Sequence, residues 1–461
     1  MEDLARMMLE LARRHGAEYA DVRFEGTVGS GLDYRDKELK EAVTSSDDGV
    51  GIRALYKGAW GFASTNDLTK GRLKDAVAKA VKIAKLCSLS VKEPEVLAQV
   101  KVERAKIDWA PRKDPMDTDL EDKVAILAAV DRSARSVKGI SAVSVGYYDT
   151  KIECRFFSTE GTSIVHHTVI TSLQANIVGK GHGKISSMRL RFGGTEGLEV
   201  LDRSDPVEGA KDMAERVVRV LTAKKPPSGR LPLVADPDLT GVLVHEALGH
   251  ACEADAILGG DSILDGSMGK KIASELVTIY DDPTKRGAFG SYPFDDEGVR
   301  SRRKVLVEKG VLREFLHSRT TAQRLGMSPN GSARAESYSA RPLVRMSNTF
   351  MGGGDRKLEE LLEGIKLGVY AMGSRGGQVD TAKGTFQFNA QEAFLIEKGR
   401  ITVPLRDLSL SGETLKMLSD VVALANDSRV GDPGYCGKGQ WVPVGDGGPH
   451  MLVSRAVVGG G

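Results

Sequence analysis

Residues 241–255 read GVLVHEALGHACEAD, and two histidines and a glutamate fall within six of them: His245, Glu246 and His250. Zinc-protease helices space their histidines four apart, which puts both on one face. Here the step is five. On a regular α-helix that step turns about 140° past a full revolution and rises ~7.5 Å, so the two imidazoles point apart. A shared ion therefore demands a distorted helix. One π-type turn brings residues i and i+5 towards one face, and such bulges recur at functional sites. A helix that stops near His250, with the chain bending back, is the alternative. Gly249 lies inside the interval and relaxes the backbone at some cost in helix propensity. Glu246 sits one step round from the first histidine. From there a carboxylate reaches water beside a metal without becoming a ligand, which is where a general base belongs.

Two histidines are too few, because catalytic zinc usually takes three protein ligands. His15, His166, His167, His182, His317 and His450 are the other imidazoles. His166 and His167 are adjacent in an expected strand, so they face opposite ways and cannot serve one ion together. Cys436, in DPGYCGKGQ (432–440), is the stronger candidate. Its glycine-rich loop can approach a helix closely, and thiolate binds zinc readily. Cys252 fits a small buried residue better than a fourth ligand. Glu253 and Asp255 are candidate acceptors that orient a histidine ring from behind; a solvated helix end explains them equally well. Asp295, Asp296 and Glu297 either position a peptide amine or form a charged turn. Lys438 either meets a substrate carboxylate or faces solvent.

The chain has 461 residues, enough for two or three domains with real cores. Lys plus Arg number 65 against 63 Asp plus Glu, so no strong net field recruits nucleic acid or an anionic membrane. No basic run with interleaved aromatics compensates. Four cysteines in this length do not make a disulfide framework and favour a reducing compartment. The N-terminal MEDLARMMLELARRHG lacks the apolar core of a signal peptide, and no apolar run approaches the ~20 residues of a membrane span. A soluble, cytoplasmic protein is expected.

Apolar spacing predicts helices over residues 4–15, 73–86, 120–137 and 207–223. Residues 19–65 predict short strands, with a hairpin turning at Lys57–Gly58, and 140–192 predict strands turning at STEGTS and GKGHGK. Pro226-Pro227-Ser228-Gly229 is the best linker, since prolines forbid helix and glycine frees the chain. The expected domains are therefore 1–225 and 226–461. The second opens on the strand LPLVAD, then a helix from Pro237 that carries the histidines, then mostly strands and glycine turns. VLVEKGVLREFL (305–316) and AFLIEKGRITVP (393–404) echo one another as hairpins bending at Glu-Lys-Gly.

HEALGH paired with a distant CGKGQ resembles the TldD/PmbA family of zinc peptidases, on its TldD side. FDDEG (294–298), RMSNT (345–349), GGQVD (376–380) and the closing VGGG add to the match. These motifs spread over residues 231–461, while AEYADVRF (17–24) is the best signal upstream. The loop after the cysteine is one residue shorter than the family pattern. The resemblance implies an α+β fold: an N-terminal α/β-layered domain, then a large, mainly antiparallel twisted β domain carrying a distorted metal-binding helix. It also implies that His245, His250 and Cys436 bind Zn2+ and that Glu246 activates water to cut peptide bonds in short or unfolded polypeptides. A PmbA/TldE-like chain, or a second copy in a homo-dimer, is the implied partner. Substrate is expected to add as a strand to an exposed sheet edge. The alternative is a metal-stabilised binding or regulatory subunit without turnover. A direct role on a DNA enzyme fits poorly with the near-neutral charge.

Overall fold

Tight turns show how this sequence sets its strand register. Lys57–Gly58, His182–Gly183, Lys309–Gly310 and Lys398–Gly399 each carry positive φ at both positions, the type I′ signature whose twist suits a hairpin. The expected hairpin at residue 57 and both Glu-Lys-Gly hairpins form there. The computed structural model describes residues 1–460, so Gly461 of the closing VGGG lies outside the described residues.

The first sheet has seven strands, in the order Ala59–Thr65, Glu38–Tyr56, Tyr19–Arg35, Ile140–Ser158, Ser163–Gly181, Arg104–Asp108, with Lys184–Gly194 also paired to Ser163–Gly181. All pairings are antiparallel except that of Arg104–Asp108. Two similar runs build it: helix, three antiparallel strands, helix, first around Tyr19–Thr65 and again around Ile140–Gly194. Helices Glu2–Arg14 and Lys70–Cys87 bury Met8, Ala12, Leu73 and Val77 against Val22 and Ile52. Helices Leu120–Arg135 and Pro206–Leu221 bury Leu127, Val130, Met213 and Val217 against Leu173 and Ile177.

The strands of residues 19–56 are not short: they run 17 and 19 residues. Glycine within them admits a neighbouring strand. A Cβ on Gly29 would lie 2.2 Å from the Asp149 carbonyl oxygen.

In the second half, Leu367–Asp380, Gly229–Ala235, Met451–Gly459, Ser409–Glu413 and Thr385–Glu397 pair in sequence, and Thr385–Glu397 pairs back onto Leu367–Asp380. The pairings therefore form a closed ring. Leu233, Val369, Phe388, Leu410 and Val453 are buried in the core associated with it. A second sheet runs Val311–Leu312, Lys304–Glu308, Ile279–Asp281, Asn348–Met351, Trp441–Gly448, Arg429–Gly437. Antiparallel pairing dominates, and the α+β architecture matches the expectation. The stretch 260–303 departs from it, since Ile279–Asp281 is its one strand among the described residues. Side-chain caps replace a ladder there. Asp295 accepts from the backbone N–H groups of Glu297, Val299 and Ala333 at 3.0, 2.8 and 3.0 Å.

Buried ion pairs join the halves. Arg23 meets Asp296 at 2.9 Å, and Arg53 lies between Asp21 and Glu297, at 2.6 and 2.9 Å. Arg319 grips Glu160 with two bonds, and Arg216 and Arg219 share Glu392. The FDDEG carboxylates are thus taken up by a turn and by arginines of the first sheet. Buried pairs of this kind make little net stability, but losing one partner costs about 3–5 kcal/mol where both are buried, as at Arg53, and less where one is half-exposed, as at Arg219.

Candidate metal centre

The helix Pro237–Val244 follows directly from the ring strand Gly229–Ala235. Asp236 caps it, accepting from Leu239 N at 2.8 Å, and Pro237 fills the first turn, where its missing N–H is no loss. The same carboxylate oxygen of Asp236 accepts from Gly373 N at 2.9 Å, fastening the helix start to the ring. The helix lies against Trp441–Gly448 so tightly that a Cβ on Gly241 would come 2.5 Å from Gly447 N.

From His245 to Gly249 the helix winds as a π turn, and His250–Cys252 then closes it as a 3₁₀ turn. The two distortions open to the sequence occur in succession. Gly249 itself has ordinary helical angles, φ −55° and ψ −50°, so backbone freedom is not what requires it. Space is: a Cβ there would sit 2.1 Å from the sulfur of Met346.

The π turn brings the rings of His245 and His250 to a centroid separation of 5.4 Å, at 86° to one another. Cys436 arrives from strand Arg429–Gly437, the edge of the second sheet, and its Sγ lies 3.3 Å from His250 Nε2. One ligand-type atom from each of the three residues falls within 4.8 Å of the others. Glu246 holds Oε2 3.8 Å from His250 Nε2, with 41% of its side chain exposed, so the carboxylate sits between the cluster and solvent.

Burial alone would raise the Cys436 thiol, but hydrogen bonds and charge from His245 and His250 bring it down to about 5. Burial likewise opposes charge on His250, yet Cys436 and Glu253 lift it to about 10, and Cys436 and then Glu246 move His245 upward against its own burial. The two imidazoles thus favour the thiolate form of the sulfur. Glu253 is buried and receives His250 Nδ1 at 3.2 Å. Burial pushes its carboxyl up, but His250 and then Lys438 more than reverse this. Asp255 meets Lys438 instead of a ring, at 2.7 and 2.8 Å. Lys438 therefore is neither free in solvent nor open to a substrate. Cys252 is a fully buried core residue whose thiol is pushed up by burial.

The remaining histidines go elsewhere. His15 ends the first helix, His182 occupies a hairpin turn, and His167 pairs with Glu153 at 2.7 Å. His166 is held well below its usual value, to about 4, by burial. His317 hydrogen-bonds Thr321, and His450 lies between Asp427 and Tyr370. None of them joins a three-ligand group among the described residues.

Two neighbours of the site escaped the sequence reading as individual residues. Arg345, fully buried, donates to the carbonyl oxygens of Cys436 and Gln440, and its only outward signal is its place in RMSNT. Asp446 has a buried Oδ1 with no partner; burial pushes its carboxyl up to about 7, with the charge of His245 opposing. An aspartate in the glycine-rich VGDGG (444–448) was its only sequence signal.

The donor set fits zinc. Tetrahedral coordination with Zn–S of ~2.3 Å and Zn–N of ~2.0 Å sets sulfur and nitrogen roughly 3.5 Å apart, close to the observed 3.3 Å. His245 Nδ1 is also buried without a hydrogen-bond partner, an orphan that a native structure rarely tolerates without purpose.

Comparison with known proteins identifies the family. The description "PmbA/TldA metallopeptidase C-terminal domain" matches residues 228–460, "domain 1" of the same family 20–84, and its "central domain" 113–224. A protein of Methanothermobacter thermautotrophicus named metalloprotease is 45% identical over 96% of both chains. A Saccharolobus solfataricus protein named zinc metalloprotease TldD homolog is 31% identical over 98% of this chain and 99% of its own. The crystal structure of TldE from Thermococcus kodakarensis has the same fold, with a TM-score of 0.81 over all of both chains at 20% identity. This chain belongs to the PmbA/TldD metallopeptidase family.

Proposed function

We propose that the protein is a zinc-dependent peptidase that hydrolyses peptide bonds in short or unfolded polypeptides, with the chemistry housed in residues 226–461. The observation that carries this reading is the convergence of His245, His250 and Cys436 beside the half-exposed Glu246. Zinc bound there supplies Lewis acidity, which brings the pKa of water towards ~7 and polarises a peptide carbonyl. His250 donates Nδ1–H to Glu253, which fixes its tautomer and leaves Nε2 for the ion. The Cys436 thiolate makes the site less positive than three imidazoles do. Glu246 takes a proton from the attacking water and returns it to the departing amine.

Substrate binding follows from the sheet. Among the described residues, the strand that carries Cys436, Arg429–Gly437, pairs within its sheet only with Trp441–Gly448. An extended peptide that adds to its other edge lies alongside the sulfur, held by main-chain hydrogen bonds that read backbone more than side chains. The partner that fits this reading is a TldE-like chain, with a homo-dimer as the arrangement to be distinguished by mass measurement in solution.

Replacement of Glu246 by Gln tests the assignment. Zinc content should match wild type while hydrolysis of an unfolded polypeptide falls by roughly 10²–10⁴-fold, the usual worth of a general base. A metal-stabilised subunit without turnover would have no activity for this substitution to remove.

A further inference from the structure

The structure assigns Lys438 as a positioning residue that ties the cysteine loop to the end of the histidine helix and so sets the distance between sulfur and imidazole. This rests on the metal reading above. The problem it solves is one of connectivity. His250 and Cys436 lie 186 residues apart, and the sulfur rides on an edge strand paired along one side within its sheet. Nothing in the backbone ladder links that strand to the π turn.

Lys438 follows Cys436 by two residues, in the turn between Arg429–Gly437 and Trp441–Gly448. Its N–H donates to the Gln440 carbonyl at 3.0 Å, and Gly439 supplies the positive φ of 71° that closes the turn. The side chain then reaches back across the site. Nζ approaches Glu253 Oε2 at 3.1 Å, Asp255 Oδ1 and Oδ2 at 2.7 and 2.8 Å, and the Val344 carbonyl at 3.2 Å. Four acceptors surround three donors, so the ammonium has no capacity left for a substrate.

One atom makes this cluster a tether. Glu253 Oε2 receives both His250 Nδ1 and Lys438 Nζ, so ring and loop hang on a single buried oxygen. Arg345 holds the same loop from the other side through the carbonyls of Cys436 and Gln440. Its Nε faces Glu253 Oε1 at 3.9 Å, and both of those atoms are buried without a hydrogen bond. Two cations of different shape thus divide the work. The planar guanidinium grips two backbone oxygens, while the compact ammonium gathers two carboxylates.

The test uses Lys438→Met, which keeps the length and removes the charge, in a Cys87→Ser background so that the exposed Cys87 does not react. Two readouts are taken: zinc affinity against a chelator, and the rate at which Cys436 is labelled by a thiol reagent in metal-free protein. Expected results are a 10- to 100-fold weaker zinc affinity, the scale for partners behind a ligand, and thiol labelling at least about tenfold faster. Lys438→Arg should recover most of both, and Asp255→Asn should shift both in the Met direction by less. If Lys438→Met stays within twofold of its parent on both readouts, the tether is overturned. Should the parent itself bind no zinc, the metal reading falls while the labelling rates still decide the tether.

Discussion

The first half of the molecule keeps its helices regular, whereas the second distorts the helix that carries His245 and His250. Lys70–Cys87 runs eighteen residues without a break and spends its inward face on packing, through Leu73, Val77, Ala80 and Ala84. Pro237–Val244 runs eight residues and then unwinds into π and 3₁₀ turns across HEALGHAC. The lesson is about where irregularity is supported. The distorted turn is clamped by Met346 against Gly249, by Asp236 at its start and by Glu253 at its end. The regular helix Pro206–Leu221 has a comparable start cap in Asp205, so what sets the distorted helix apart is its contact with Met346 and Glu253.

The sharpest way to break this contrast compares two buried cysteines. Cys436→Ala should weaken zinc binding by on the order of 10³-fold or more, since one of three ligands carries a large share of a typical ~10–16 kcal/mol. Cys154→Ala, in the first sheet, should leave zinc affinity unchanged and cost ~1 kcal/mol of stability. Chelator competition and denaturant titration on both variants settle the pair.

Next come two buried lysines. Lys123 meets Asp149 at 2.7 Å in the first half and Lys304 meets Asp281 at 2.8 Å in the second. Replacing either by Met strands a buried carboxylate and should cost about 3–5 kcal/mol in urea unfolding. Only Lys304→Met should also weaken zinc, because Asp281 anchors Ser347, the residue after Met346. Equal effects on zinc from both would erase the distinction between the halves.

Two glycines sharpen it further. Gly249→Ala should destabilise by ~1–3 kcal/mol through the clash with Met346, and Met346→Ala in the same chain should recover part of the loss. Gly71→Ala, in the regular helix with open space at its Cβ, should stabilise by up to ~1 kcal/mol.

The smallest effect concerns pH. Burial pushes Glu25 up to about 7 in the first sheet, with Arg23 opposing. The folded chain therefore holds this proton when the unfolded chain, with an ordinary carboxyl near ~4.3, has lost it. Its contribution is present in full below about pH 4 and declines as pH rises towards 7. Glu25→Gln should flatten that decline by about 1 kcal/mol when urea midpoints are compared at pH 5 and 6.

Much of the site was legible because zinc chemistry is carried by residue type. His245, Glu246 and His250 announced themselves in one stretch, and the five-residue step implied a distorted helix. The hairpin turns were legible for a similar reason, since Lys57–Gly58 and its counterparts carry their geometry locally. What stayed hidden depends on distant partners. Nothing near Lys438 in the chain reveals that Glu253 and Asp255 wait for it, and Arg345 meets Cys436 only through the fold. The full length of the strands over 19–56 stayed hidden because the strand that Gly29 admits lies more than a hundred residues away. The same limit applied to 260–303, where side-chain caps stand in for the strands that composition suggested.

The closed ring has a consequence for how the protein is made. Met451–Gly459 slots between Gly229–Ala235, which leads into the histidine helix, and Ser409–Glu413. Without that segment, the strand leading into the histidine helix would keep only Leu367–Asp380 as a ring neighbour, and the base of the helix would lose half its support. The strand beneath the histidines thus takes its second neighbour from a distant segment, a pairing that forms slowly beside the local hairpins.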